Sequence, residues 1–448
     1  MISRARPYLN LENLISILRD GDVSDPQIIR EFEDSISRIF DANRAYAIHQ
    51  GRLALLLALK ILEIGERDEI IVQSFICPYV IDAILELGAT PVLADSSRVD
   101  FQISPSSIRK NISRKTKAII CAHIYGIPSP IQEIFEIASR NKCYLIEDCA
   151  QTMGAKSGGK NIGTYGDLSF FSFNFDKPIS LGQGGMLIVN NKELIDRAEE
   201  IISNHERISP DEERKILFGF IVQYILTGKD AYKYHLPITF GESLIERFPI
   251  LYSILDECIM NNLPISEISN RILKFTREKK LLRGQKKSRF SKSIYRVKRR
   301  MRKLFPETPA RLSKDSRNFL MNSIRASLGI KLLKELDFMY SVRNKNAEYL
   351  SKNLDKNRYI LPIINEKNEP YFIRYSVLNK TDFSVAEISK MALEKGIEIG
   401  NFNWPNPVHL IPYYSRIIKH ERENLKESEY LAQNILNIPI HTSIAKED

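Results

Sequence analysis

At 448 residues the chain is longer than one ordinary core encloses, so two domains plus an extra segment are expected. A hydrophobic content of 43% fits a globular protein; no run approaches the ~18 apolar residues of a spanning helix, and MISRARPYLN lacks a secretory apolar run, so a cytoplasmic address is expected. The net charge of +10 sits in one place: residues 271–303 carry a single acid, Glu278, and more cations than the whole excess, which argues against a nucleic-acid-binding surface spread over the chain.

From about 44 to 191 short apolar runs alternate with helix-length segments. YAIHQ, EIIVQ, TPVLAD, AIICAHIYG, CYLIED, DLSFFSF and GMLIVNN read as strands buried on both faces, with LALLLALKIL and IQEIFEIASR among the helices between them. This predicts an α/β, doubly wound, mostly parallel sheet over 1–206. In such sheets chemistry gathers beyond the carboxyl ends of the strands. Residues 207–312 read as a helical, basic insertion, and 313–448 as a smaller α+β domain with candidate strands YFIRYSVL and IEIG and the helix FSVAEISKMALEKG. Five scattered cysteines, Cys77, Cys121, Cys143, Cys149 and Cys258, lack the paired spacing of a zinc site and read as reduced thiols.

Three strand-end features carry chemistry. Gly51 and Arg52 open a helix directly after a strand, where exposed N–H groups bind phosphate and an arginine can clamp it, although glycine at such a turn also serves plain steric needs. Glu147 and Asp148 end CYLIED, so a carboxylate stands at the mouth of the sheet, able to hold a pyridinium proton or simply to cap a turn. Lys177 follows an aromatic strand and precedes the glycine-rich turn LGQGG; desolvation there favours a neutral amine suited to Schiff-base chemistry, whereas a strand-end lysine is more commonly a solvated charge.

Together with RPYL, GRLALLLALK, GATPVLAD, TKAIICAHIYG, YLIEDCAQTMGA, GTYGDLSFFSFNFDK and NIPIHTSI, these features resemble the DegT/DnrJ/StrS sugar aminotransferases, fold-type-I enzymes that use pyridoxal 5'-phosphate. The resemblance covers nearly the whole chain outside about 207–312. It implies that Lys177 carries the cofactor as a Schiff base and shuttles the proton, that Asp148 holds the ring nitrogen, that Gln151 lies along the ring, and that Ser172 binds the phosphate beside Gly51 and Arg52. It aligns Asn318 with an asparagine that reaches the phosphate of a neighbouring subunit, implying a homodimer with shared active sites, although the arginine usual two positions later is Leu320 here. Where the family presents an aromatic ring to the cofactor's open face this chain has Cys77; Phe75 or Tyr79 substitutes, or the ring packs on sulfur and Pro78. His123 and His441 match family positions but read equally as hydrogen-bonded core.

The implied reaction moves an amino group from a donor, usually glutamate, to a keto-deoxysugar nucleotide for polysaccharide, lipopolysaccharide or other amino-sugar synthesis. Family members that instead remove a hydroxyl replace the lysine by histidine, so Lys177 points to transamination. Two other readings stay open: a non-catalytic regulator or scaffold retaining the fold, and another pyridoxal phosphate reaction. For the basic insertion, peripheral contact with an anionic membrane, a lid or dimer extension, and a solvated arm are all compatible with the residues.

Overall fold

The computed structural model describes residues 1–20, 25–229, 231–232, 249–278, 319–401, 404–418 and 424–444. Most of the basic run, 279–303, lies outside the described residues, and with it the membrane contact, lid, dimer extension or solvated arm left open for it. Among those described, no helix is long and apolar enough to cross a membrane.

The apolar runs fold as the alternation predicts. Strands β1 (Arg44–Ile48), β2 (Glu69–Gln73), β3 (Thr90–Ala94), β4 (Thr116–Ala122), β5 (Tyr144–Asp148), β8 (Leu168–Ser172) and β9 (Gly185–Val189) join the two-residue strands β10 (Glu206–Arg207) and β11 (Phe319–Leu320) in one nine-stranded sheet. Its order is β10-β11-β1-β9-β8-β5-β4-β2-β3. Alternate residues face two cores: Ala45, Ala47, Ile71, Ile119, Cys121, Met186 and Ile188 point one way, while Tyr46, Ile48, Ile70, Val72, Ile120, Leu187 and Val189 point the other. Burial on both faces is why these strands read as continuous apolar runs rather than alternating ones.

Strands β3, β2, β4, β5 and β8 run parallel, whereas β9 is antiparallel to both β8 and β1. The cause is the connection. Between β8 and β9 there is no crossover helix, and a short link of this kind permits only antiparallel pairing. Lys177 lies in that link.

The first core receives α1 (Leu11–Asp20), α2 (Pro26–Phe40), α5 (Pro105–Asn111) and α6 (Ile131–Arg140). The second receives α3 (Gly51–Ile61), α4 (Pro78–Glu86) and α7 (Ile195–Ser203). It continues into a smaller three-stranded sheet, β12 (Tyr359–Ile360), β14 (Tyr375–Asn379) and β15 (Ile435–Ile438). A third small sheet pairs β13 (Asn368–Glu369) with β6 (Lys156–Ser157) and β7 (Lys160–Asn161).

Packing does not divide at 207 and 313 as expected. Helix α8 (Pro210–Leu226) is apolar nearly all round from Ile216 onward and buries Leu217, Phe218, Phe220, Ile221 and Val222 in the first core, the behaviour of a core helix rather than a surface appendage. Helices α9 (Pro249–Met260) and α10 (Ile265–Glu278) add Leu255, Ile259, Ile268 and Ile272 to the same core. The run FLMNSIRASLGIKLLKEL divides between several elements. It supplies β11, which pairs with β1 and β10, then Asn322 as N-cap of α11 (Ser323–Leu333), which packs on α2, before α12 (Leu336–Asn353) begins. The smaller lobe therefore starts after this helix. IEIG forms two isolated bridges, Ile397 to Ile2 and Gly400 to Asn437, instead of a strand. The remaining helix of this lobe that bears a sequence signal, α13 (Val385–Glu394), starts with a Ser384/Glu387 capping box.

Candidate active site

The carboxyl ends of β1, β5 and β8 open on one side of the sheet, and the sequence-predicted residues follow them: Gly51 and Arg52 after β1, Asp148 ending β5, Ser172 ending β8, and Lys177 in the β8–β9 link. The link is pinned at both ends by backbone bonds, Phe173 N–H to the Gly184 carbonyl at 2.9 Å and Leu181 N–H to the Phe173 carbonyl at 2.9 Å. Phe173 packs on Phe32 and Phe175 on Phe220 of α8, with ring centroids 5.8 Å apart in both pairs. Gly182 has φ +76°, and a Cβ there would come 2.9 Å from Phe220 Cβ, so α8 lies directly against the lysine link. The Lys177 side chain is mostly buried, and its Nζ stands 3.4 Å from Asp176 Oδ1.

Asp148 is buried and accepts the Ala150 N–H at 3.0 Å through Oδ1. Burial pushes its carboxyl up from the ordinary value, opposed by the Ala150 N–H and by the charges of Lys177 and His123. Beside it Glu147 is spent on structure: it accepts N–H bonds from Gly163, Tyr165 and Gly166 at 2.7–2.9 Å. His123 Nε2 meets Glu147 Oε2 at 3.2 Å, and its Nδ1 accepts the Ser129 N–H at 3.0 Å. Both ring nitrogens are thereby used, as in the core reading of His123. Cys149 Sγ lies with these two side chains in a buried group whose donor atoms are within 4.8 Å of one another, but the hydrogen bonds already occupy the His and Glu atoms. Gln151 turns its carbonyl oxygen to the Tyr125 N–H at 2.7 Å, holding that residue in its left-handed conformation, φ +60°.

A narrow cradle forms where α3 begins. Gln50 caps the helix without a side-chain bond. A Cβ at Gly51 would come 2.9 Å from Ser172 Cβ, and one at Gly185 would come 2.6 Å from the Gly51 nitrogen. Only glycine allows these backbones to approach so closely, and the approach sets the start of α3, with its unpaired first N–H groups, against Ser172. Arg52 lies over the Tyr79 ring at 3.5 Å to the centroid. These residues fit a pyridoxal phosphate: a glycine-walled helix start and a serine for an anion, a buried carboxylate that favours a cation against it, and an amine nearby.

Of the candidates for the cofactor's open face, Phe75 is fully buried against Trp404 and Tyr125, and Tyr79 is taken by Arg52. Cys77 remains on the site side: burial pushes its thiol up, and the charges of Lys177, Arg52 and Asp148 all act on it. His441 faces the Ser3 carbonyl at 3.1 Å and Ser443 Oγ at 3.2 Å. Asn318 lies outside the described residues, while Leu320, two positions on, pairs with Ile48 in the sheet.

Sequence reasoning passed over four charged residues that the fold brings in. Asp176 Oδ2 accepts from Arg374 Nη2 at 2.7 Å. Arg325 and Glu213 form a fully buried pair at 2.7 Å. Arg325 also donates to the carbonyls of Gln183 and His49 at 2.9 and 3.3 Å, bracing both walls of the cradle. Only Arg374 carries a local signal, a lone charge inside the apolar run YFIRYSVL, where a charge is kept only if it finds a partner; Asp176 and Glu213 stand beside other charged residues and show none.

The chain is 42% identical over 169 residues to GDP-perosamine synthase of Escherichia coli O157:H7, covering 38% of this chain and 46% of that protein. It is 36% identical over 177 residues to UDP-N-acetyl-3-dehydro-alpha-D-glucosamine 3-aminotransferase of Acidithiobacillus ferrooxidans, covering 39% and 48%. It thus spans about half the length of these curated relatives. The crystal structure of an aminotransferase from Psychrobacter cryohalolentis superposes with a TM-score of 0.68 at 20% identity, covering 100% of this chain and 95% of that one, which shows the shared fold. The DegT/DnrJ/EryC1/StrS aminotransferase family model matches residues 9–220 and 285–448, leaving 221–284 unmatched. Its aminotransferases depend on pyridoxal phosphate, the group that the cradle, the buried carboxylate and the amine fit, and by sequence match and fold alike the chain belongs to the DegT/DnrJ/EryC1/StrS aminotransferase family.

Proposed function

We propose that this protein is a pyridoxal phosphate-dependent aminotransferase that passes an amino group, with glutamate as donor, to a nucleotide-linked keto sugar, working as a homodimer. The observation that carries the reading is the convergence of Lys177, buried Asp148 and the Gly51–Ser172 cradle at one end of the sheet. The names of the curated relatives, one acting on a GDP sugar and one on a UDP sugar, support a nucleotide-sugar acceptor without choosing the base.

In this reading the start of α3, with Ser172 and Arg52, holds the phosphate and so fixes the cofactor's register. Bound there, the cofactor supplies an electron sink for the carbon bearing the transferred nitrogen. Asp148, whose burial makes an uncompensated negative charge costly, keeps a proton on the ring nitrogen by pairing with it. Lys177 Nζ would be the general acid and base, taking a proton from the amino-bearing carbon of the donor in the first half of the cycle and delivering one to the former keto carbon of the acceptor in the second. Gln151, anchored through its carbonyl oxygen, limits the sideways freedom of the ring. The phenylalanines behind the link, Phe173 and Phe175, keep water away from the amine's supporting backbone.

The test is the visible spectrum of the purified chain with added pyridoxal phosphate, before and after excess glutamate, beside a Lys177→Ala control. A cofactor band that glutamate shifts into the near ultraviolet, and that Lys177→Ala never develops, is the expected result. A chain that takes up no cofactor would overturn the proposal.

A further inference from the structure

Lys177 is preceded in the chain by an acid, and that acid is shared with the other lobe. One oxygen of Asp176, Oδ1, is 3.4 Å from Lys177 Nζ; the other, Oδ2, accepts from Arg374 Nη2 at 2.7 Å. Arg374 directly precedes β14 of the small sheet, and only 4% of its side chain is exposed. The carboxylate therefore spans the two lobes, with one cation on each oxygen. We propose that Asp176 and Arg374 are positioning residues for Lys177: the carboxylate aims the amine, and the arginine, held on the carboxylate's other oxygen from the small lobe, sets how much of its charge the amine meets. This rests on the reading of Lys177 as the reactive amine.

The charges around the group make the direction of each perturbation definite. On the large-domain side Lys177 acts on Asp148 and Cys77. From the small lobe come Arg374 and, behind it, buried Arg343. From the N-terminal segment comes Arg4, which also acts on Asp176 and is itself tied to Glu398, its N–H bonding Oε2 at 2.9 Å. Burial pushes the Asp176 carboxyl up, but the charges of Lys177 and Arg374 outweigh it and hold the group well below the usual carboxylate range. Asp176 is thus a fixed negative charge throughout the working pH range. Without Arg374 the whole of that charge would face the ammonium and favour its protonated form. With asparagine at 176 the lysine would instead face an uncompensated guanidinium, which favours the free amine.

An arrangement that merely supports the fold would respond to both changes alike, whereas this one predicts opposite signs. The experiment uses the full-length chain without cofactor. Acetylation of Lys177 by a water-soluble acetyl ester is followed against pH by peptide mass spectrometry, with circular dichroism to confirm folding. In Asp176→Asn the midpoint of the reactivity profile falls by about one pH unit, and in Arg374→Met it rises by about one; near neutral pH the rates differ about tenfold from the parent in opposite directions. The double variant returns toward the parent. Midpoints that stay put, or that move the same way in both variants, overturn the proposal. Should Arg374→Met not fold, Asp176→Asn decides alone, because a midpoint that fails to fall refutes the coupling. Acetylation needs no cofactor, so failure here is distinguishable from failure of the aminotransferase reading, which would appear as absent cofactor uptake with the opposed midpoints intact.

Discussion

Replacing Glu213 by alanine is expected to cost the protein about 4 kcal/mol of stability, and the figure follows from what the carboxylate holds. Its Oε1 accepts Arg325 Nε at 2.7 Å and the Asn322 N–H at 3.0 Å, and its Oε2 accepts the Ile324 N–H at 3.1 Å. Neither side chain of the Glu213–Arg325 pair has any exposed surface. Alanine would leave a buried guanidinium without a counter-charge and two backbone donors without acceptors. Breaking a buried pair from one side costs roughly 3–5 kcal/mol, and each orphaned donor about 1–3 kcal/mol. These penalties overlap, because relaxation that hydrates one group hydrates the others, so they do not add in full. Glu213→Gln keeps an acceptor oxygen for the N–H groups and should cost about half as much. Urea unfolding followed by intrinsic fluorescence measures this: with a slope of about 3 kcal/mol/M the alanine midpoint drops by more than about 1 M. Because Arg325 also braces the His49 and Gln183 carbonyls, cofactor affinity should fall in the same variant. A loss below about 1 kcal/mol would refute the reasoning, since it would mean that water reaches and solvates the pair.

Gly51→Ala should raise the cofactor's dissociation constant at least about tenfold with the far-ultraviolet spectrum unchanged, because the new Cβ meets Ser172 Cβ at 2.9 Å and the Phe171 carbonyl oxygen at 3.1 Å, and about 1.4 kcal/mol of misfit suffices for that; equilibrium dialysis that finds parental affinity would remove the cradle from the site. His49 gives a pH signature: burial, then the neighbouring Arg325 charge, lowers its pKa from 6.5 to about 3. The folded value lies below the unfolded one, so the unfolded chain binds the extra proton between them. The contribution of His49 is complete above about pH 6.5 and lost as pH falls toward 3, at up to about 1.4 kcal/mol per unit. Urea midpoints measured down to about pH 5 should flatten in His49→Gln, and an unchanged slope would assign the acid sensitivity elsewhere.

Local pattern suffices for seven of the large sheet's strands and the helices between them, since runs buried on both faces and amphipathic segments leave a local trace. It also placed Gly51, Asp148, Ser172 and Lys177 at strand ends, because the position of a residue directly after an apolar run is itself local information. Tertiary structure alone decided the rest. The reversal of β9 depends on what the β8–β9 link lacks, and the membership of α8, β11 and α11 in the large core depends on partners far along the chain. The acid beside Lys177 was in plain view, but its partner Arg374 is 198 residues away. Glu213 meets Arg325 across 112 residues. No periodicity records such pairings, since each of these charges is wholly or partly buried only because the fold, once closed, puts the opposite charge within hydrogen-bond reach.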